Sequence, residues 1–228
     1  IIGSKFDFDE SLSINIMAYN GVHAEYDLKE KGFLASVKHS SKNKSDLSFF
    51  LGKNTEMEGL LRTSGRGAFG NFAGETFHLG TTFNKQIVNN IYLAGLFNYG
   101  FVNSNSDNAG LLSDVSEIET SQFNIGMVVS NIGKYNNFMS LNLSQPLRVE
   151  SGFADLTIPG RLDKNGNVTH STKKLSLEPS GRELNLDLGY EMKLYKGALK
   201  VGGQLMFDAA HTKSNSSEMI YGIFKTSF

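Results

Sequence analysis

Apolar and polar residues alternate along most of this chain with a period of two, the spacing that sends side chains to opposite faces of a β-strand. In residues 11–20, Leu12, Ile14 and Ile16 share one face, and Ser11, Ser13 and Asn15 share the other. Residues 122–130 set Phe123, Ile125, Met127 and Val129 against Gln122, Asn124, Gly126 and Ser130. The same rhythm marks strands over 46–53, 138–144, 183–191 and 199–207, and over the last stretch, 218–228. Residues 76–84 and 91–103 form a hairpin. So do 149–158 and 169–177, about a turn at Asp163–Asn167 whose Asn165-Gly166 pair is a strong hairpin signal. Segments 22–28 and 33–39 flank the charged stretch Lys29-Glu-Lys-Gly32 and read either as a hairpin or as one broken strand. The count comes to about twelve strands, with no helix of ordinary length and no linker that would divide residues 1–228.

Alternation alone does not separate a soluble sandwich from a membrane barrel, because both have one polar face per strand. Three details favour the barrel. The polar faces carry glycine and small amides beside charges, and glycine is costly inside strands unless something must approach closely. Aromatics gather near strand ends, as Tyr19, Tyr26, Tyr99, Phe101, Tyr190, Phe207 and Phe228 show, in the manner of interfacial girdles. Short turns, such as those at 134–136 and 195–197, alternate with longer polar loops, such as 104–110 and 212–218. The fold expected is therefore all-β, a closed antiparallel transmembrane barrel. Its last strand, with Phe228 at its end, is expected to pair with the strand at 198–210 on one side and with the first strand near 11–20 on the other. Asn124, Glu183, Asn185, Asp187, Glu191, Lys200 and Gln204 are expected to line the lumen, either around a passing polypeptide or plug, or by pairing with one another.

Composition fits this picture. Apolar residues make up 39% of the 228, Gly and Phe are frequent (24 and 17), and Pro is scarce (3). A large soluble core would be thin at that content, whereas a barrel needs only one apolar face per strand. The net charge of −1 gives no preference for nucleic acid or an anionic surface. The absence of cysteine removes disulfides, thiolate metal sites and cysteine nucleophiles. No run of about 18 apolar residues is present, which excludes a helical span but not a barrel. No leader pattern stands at Ile1, so the stretch reads as a mature protein or an excised domain.

Candidate chemistry is sparse. Gly65-Arg-Gly-Ala-Phe-Gly70 matches a dinucleotide fingerprint in letters only, since no helix start or βαβ context accompanies it, and it reads as a loop. His23, His39, His78, His170 and His211 show no metal-ligand spacing. Asp7, Asp9 and Glu10 read as a solvated terminus. No nucleophile elbow surrounds any serine; Ser180 lies in a turn without His or Asp nearby in sequence. No catalytic residue, cofactor or metal is expected.

Gln145-Pro-Leu-Arg-Val-Glu-Ser-Gly152, Pro179-Ser-Gly-Arg-Glu183 and Leu112-Ser-Asp-Val-Ser-Glu117 resemble segments of the C-terminal translocator barrel of subtilisin-family serine-protease autotransporters, and the resemblance extends to about residue 60. It implies a bacterial outer-membrane domain that anchors an N-terminal passenger and assists its export. Any protease chemistry would then lie in that upstream passenger. It also implies folding by the barrel assembly machinery, which engages the last strand, here through Ile220, Tyr221, Phe224 and Phe228. Arg148 and Arg182 flank the two motif turns and are expected at the membrane interface. Two other readings stand beside this one: a small diffusion channel, and a soluble secreted β-sandwich that binds a ligand or surface.

Overall fold

The structure is a computed structural model and describes residues 1–23, 28–57, 59–61, 72–106, 110–132, 137–194 and 197–226. Among these residues the chain is all β apart from a 3₁₀ turn at Ala209–His211. The strands are β1 (Ile2–Asp7), β2 (Leu12–His23), β3 (Leu28–Ser41), β4 (Ser45–Glu56), β5 (Phe72–Val88), β6 (Ile91–Ser106), β7 (Leu112–Ser113), β8 (Ile118–Ser130), β9 (Asn137–Ser151), β10 (Phe153–Leu162), β11 (Val168–Ser176), β12 (Leu184–Leu194), β13 (Gly197–Phe207) and β14 (Ser217–Thr226). Eleven of them form one sheet in the order β1-β2-β3-β4-β5-β6-β8-β9-β12-β13-β14, and β11-β10-β7 form a small second sheet. Every pairing is antiparallel.

Up-and-down connectivity sorts the connections of the large sheet between its two ends. At one end lie 8–11, 42–44, 89–90, 131–136 and 195–196; at the other lie 24–27, 57–71, 107–117, 152–183 and 208–216. One end is thus made of short links. The other carries most of the connecting chain, including the β10–β11 hairpin.

The accessible surface is 14963 Å², against about 10,000 Å² for a compact chain of this length. The excess arises because the large sheet is a single layer. Among the described residues the buried apolar side chains are Phe72, Val102, Ile118 and Ala154. Val102 and Ile118 are direct cross-strand partners where β6 and β8 approach the long-loop end. Elsewhere the polarity of a water-soluble sheet is reversed. On β4, Leu47, Phe49 and Leu51 are exposed, Phe49 to 60%, while the alternate residues Gly52 and Glu56 are buried. On β9, Met139, Leu141 and Leu143 are exposed and Ser140, Asn142 and Ser144 alternate with them.

Two irregularities let β9 keep its register. Ser121 and Phe123 of β8 oppose Arg148 and Gln145, so β9 carries one residue more than its partner across Pro146-Leu147. A proline, which has no ladder N–H to donate, is tolerated inside a strand at such a bulge. The second extra residue is Glu150, between the partners of Glu119 and Thr120.

Several expectations need correction. The charged stretch Lys29–Gly32 is neither a turn nor a break: β3 runs through it, and Gly32 leaves room for the ring of Tyr19 on β2. Asp7, Asp9 and Glu10 are exposed, as a solvated segment would be, but Asp7 ends a strand that was not anticipated, β1, and pairs with Lys5 at 2.6 Å. The strand at 12–23 already has a neighbour on each side, β1 and β3, so it cannot receive the last strand. Strand β14 pairs with β13 as expected, and among the described residues no pairing joins it to β1. Closure of the sheet is therefore not seen. Gly65–Gly70, Tyr26 and Phe228 lie outside the described residues, as do 134–136 and 195–196.

Candidate functional site: two opposed faces and a charged rim

The apolar face is continuous from strand to strand. Cross-strand partners run Phe6, Ile14, Val37, Phe49, Thr81, Phe97 and Phe123 across seven strands. A second row joins Ile125, Leu143, Leu186 and Leu205. Phe97 and Phe123 stack with ring centroids 6.1 Å apart. Toward the long-loop end the belt gives way to charge, where Lys53 and Glu75 pair at 2.8 Å on the same face. Ile220 and Phe224 of β14 belong to the apolar face; Tyr221 points the other way, its ring lying across Gly202.

The opposite face collects most of the residues proposed as lumen-lining. Asn124 faces Ser144, and Ser144 faces Asn185. Gly126, Asn142, Asp187 and Gln204 make the next row, with Asn142 Nδ2 donating to Asp187 Oδ2 at 3.3 Å. Glu191 and Lys200 are direct partners two rows further, beyond Gly189 and Gly202. Asn124 is exposed although it lies on this face. Glycines here give room to flat-lying rings: a Cβ at Gly52 would meet His78, and one at Gly202 would meet Tyr221. A cavity of about 380 Å³ opens on this face, lined by Tyr19, Glu30, Asn54, Glu56, His78 and Asn98 among others. The side-chain oxygens of Asn54 and Asn98 are buried there without a hydrogen-bond partner.

Glu183 stands at the end of that wall. It sits just before β12 and fastens the β13–β14 loop: Oε1 accepts from Asn185 at 2.8 Å and Oε2 from the Ala210 amide at 2.6 Å. Its own N–H donates to His211 Nδ1 at 3.0 Å, so the ring offers Nε2–H to the Leu147 carbonyl, also at 3.0 Å. His211 is thus occupied by main-chain groups on both nitrogens. Ser180 accepts from the Lys213 amide at 3.2 Å. The two residues serve loop structure.

The arginines of the sequence motifs meet in a rim cluster at the long-loop end. Arg148 is buried within β9. It donates to Glu150, to Glu178 at 3.0 Å and to the Gly181 carbonyl at 3.1 Å. Arg182 is half exposed and reaches Glu150 Oε2 at 2.7 Å. Gln145 bonds the Ser121 hydroxyl at 2.9 Å, and Ser121 donates to Glu150. A buried charge is retained only when paired and hydrogen-bonded, and here Glu150 has two guanidinium partners. The cluster ties the 178–183 segment to β8 and β9. The sequence placed both arginines beside turns; this holds for Arg182, which lies between strands, whereas β9 continues through Pro146 and carries Arg148.

Outside the large sheet, Asp163 closes the β10–β11 turn by accepting from the Asn165 and Asn167 amides at 2.7 and 2.8 Å. Those bonds, led by Asn167, hold its carboxyl below the usual carboxylate range. Among the described residues no group of three or more His, Asp or Glu side chains could hold a metal ion.

These observations define a single-layer antiparallel sheet with one apolar and one polar face, short links at one end and long loops at the other. No known protein family, curated protein or solved structure matches the chain. No helix among the described residues is long and apolar enough to cross a membrane, which says nothing of strands.

Proposed function

We propose that this chain is a bacterial outer-membrane β-barrel that anchors an N-terminal passenger and assists its export, in the manner of an autotransporter translocator. The observation that carries the membrane reading is the exposed belt through Val37, Phe49 and Phe97, backed by a polar opposite face. Water penalises such a belt and lipid does not. The asymmetry of the connections fits short periplasmic turns and long external loops. The polar face, with Asn124, Asn185, Asp187, Glu191, Lys200 and Gln204, then borders a hydrated passage. Its amides and carboxylates exchange hydrogen bonds with an extended or helical linker. The chain works as a physical conduit and anchor, without catalysis, and β14 is the strand that the assembly machinery engages. The translocator assignment within this class rests on the three motif segments.

Two measurements test the two levels. The chain extracted in detergent should migrate differently on a gel before and after boiling, and should resist extraction from vesicles by carbonate. Identical migration together with stability in plain buffer would mean a soluble sheet protein. A reporter fused before Ile1 should reach the surface of expressing cells. A membrane-inserted chain that leaves the reporter in the periplasm and conducts ions steadily is a diffusion channel instead.

A further inference from the structure

The loop between β13 and β14, residues 208–216, carries a run of left-handed backbone. Asp208, Ala210, His211 and Ser214 have φ of 48°, 56°, 55° and 64°. A Cβ crowds the neighbouring carbonyl in that region, so side chains other than those of asparagine and aspartate rarely adopt it. Such a run persists only where surrounding contacts fix it. Here the contacts come from the 178–183 segment and from β9. The Gly181 amide donates to the His211 carbonyl at 2.8 Å, the Lys213 amide to Ser180 Oγ at 3.2 Å, and the Ala210 amide to Glu183 Oε2 at 2.6 Å. Asp208 accepts from the Arg182 and Ser214 amides at 3.3 and 2.8 Å. The fit is close, since a Cβ at Gly181 would lie 2.6 Å from the Lys213 nitrogen.

The His211 ring spans both supports. Its Nδ1 accepts from the Glu183 amide and its Nε2–H donates to the Leu147 carbonyl, each at 3.0 Å. Only the neutral ring can do both. A proton added at Nδ1 makes it a second donor, facing an amide N–H, and that bond is lost. The charged groups around the ring are already engaged. Glu183 and Asp208 use both carboxylate oxygens, on Asn185 and Ala210 and on Arg182 and Ser214. On β9 and in the 178–183 segment, Arg148 pairs with Glu150 and Glu178, and Arg182 with Glu150. Lys213 lies in the loop itself, and Glu218 follows it in β14.

We propose that residues 208–216 form an acid-released latch. Neutral His211 pins the strained loop to β9 and to the 178–183 segment, and protonation of the ring frees it. The latch is complete at the higher pH and is lost as the pH falls, and the backbone strain then favours the open form. Leu147 belongs to the lining of the cavity on the polar face, so release detaches the loop from that wall. The latch does not depend on the membrane reading, because its bonds are all at the long-loop end and would hold equally in water.

The test follows the chain in detergent micelles from about pH 8 to about pH 5, a range across which imidazoles protonate. Side-chain nitrogen NMR should show His211 as the Nε2–H tautomer at the upper end. As the ring gains its proton, exchange of the Glu183, Ala210 and Lys213 amides, corrected for intrinsic rate, should accelerate by about tenfold or more, while Asn165 and Asn167 stay constant. His211→Asn keeps an acceptor and tolerates left-handed backbone but does not titrate, so its loop should exchange at one rate throughout. Ala210→Gly relieves strain and should reduce the acceleration; Glu183→Gln should retain it. An Nδ1–H tautomer, exchange that does not follow ring protonation, or acid release that survives in His211→Asn overturns the proposal. Acid release lost in Glu183→Gln overturns it too, by placing the sensor at the carboxylate. None of these readouts requires insertion into lipid, so a chain without the latch can still be a membrane barrel, and a chain with it can still be a soluble sheet protein.

Discussion

At the scale of single residues, what matters is which face a side chain takes. Leu141 and Asn142 are neighbours in β9, yet Leu141 lies on the apolar face and Asn142 bonds Asp187 on the other. Leu141→Arg should cost about 2–4 kcal/mol of stability in vesicles, whereas Asn142→Lys should cost far less, as urea unfolding in vesicles would show. Similar costs for both would mean that the two faces meet the same medium. Asp163 gives a pH dependence of known sign. Its carboxyl is held below the ordinary value, so its contribution to the β10–β11 turn is complete above the unfolded carboxylate range. It is lost as pH falls through the lowered value. Exchange of the Asn165 and Asn167 amides, corrected for intrinsic rate, should therefore accelerate on acidification below about pH 4 and be flat in Asp163→Ala.

At the scale of elements, strands with clean alternation were legible and strands interrupted by punctuation were not. The β5–β6 hairpin, β8, β12 and β13 are where the period-two pattern puts them. Lys29–Gly32 looked like a turn because charge and glycine usually mark one. Within a sheet that pairs on both sides those residues remain extended, the glycine serving the Tyr19 ring. Pro146 divided β9 in sequence, but a bulge carries the strand through it. The same misreading hid Arg148, whose burial depends on a segment some thirty residues further along. Arg148→Ala leaves Glu178 and the Gly181 carbonyl without that partner and should destabilise the rim by about 3–5 kcal/mol. Protease should then cut within 177–183 much faster, while Arg182→Ala, at a half-exposed position, should change the rate little.

At the scale of the whole molecule, connectivity assigns every link to one of two ends, and the membrane reading assigns those ends to opposite sides. Protease added outside intact cells should cleave in the β10–β11 hairpin, 153–176. A tag inserted at 42–44 should be reached only after the outer membrane is opened. Cleavage at both sites from outside would contradict the orientation.

The alternation of residue types by itself determined that this chain is all β, that its strands have one apolar and one polar face, and that Asn124, Asn185, Asp187, Glu191, Lys200 and Gln204 fall on polar faces. That information is local, because the side-chain period of a strand is set by its own backbone. Only the tertiary structure decided which neighbours those faces acquire. It exposed the apolar face and made it continuous from Phe6 to Phe123, tied Glu183 both to Asn185 and to the β13–β14 loop, and buried Arg148 under a distant turn. Register, bulges and strand direction depend on pairings between residues far apart in sequence, and no local pattern encodes them.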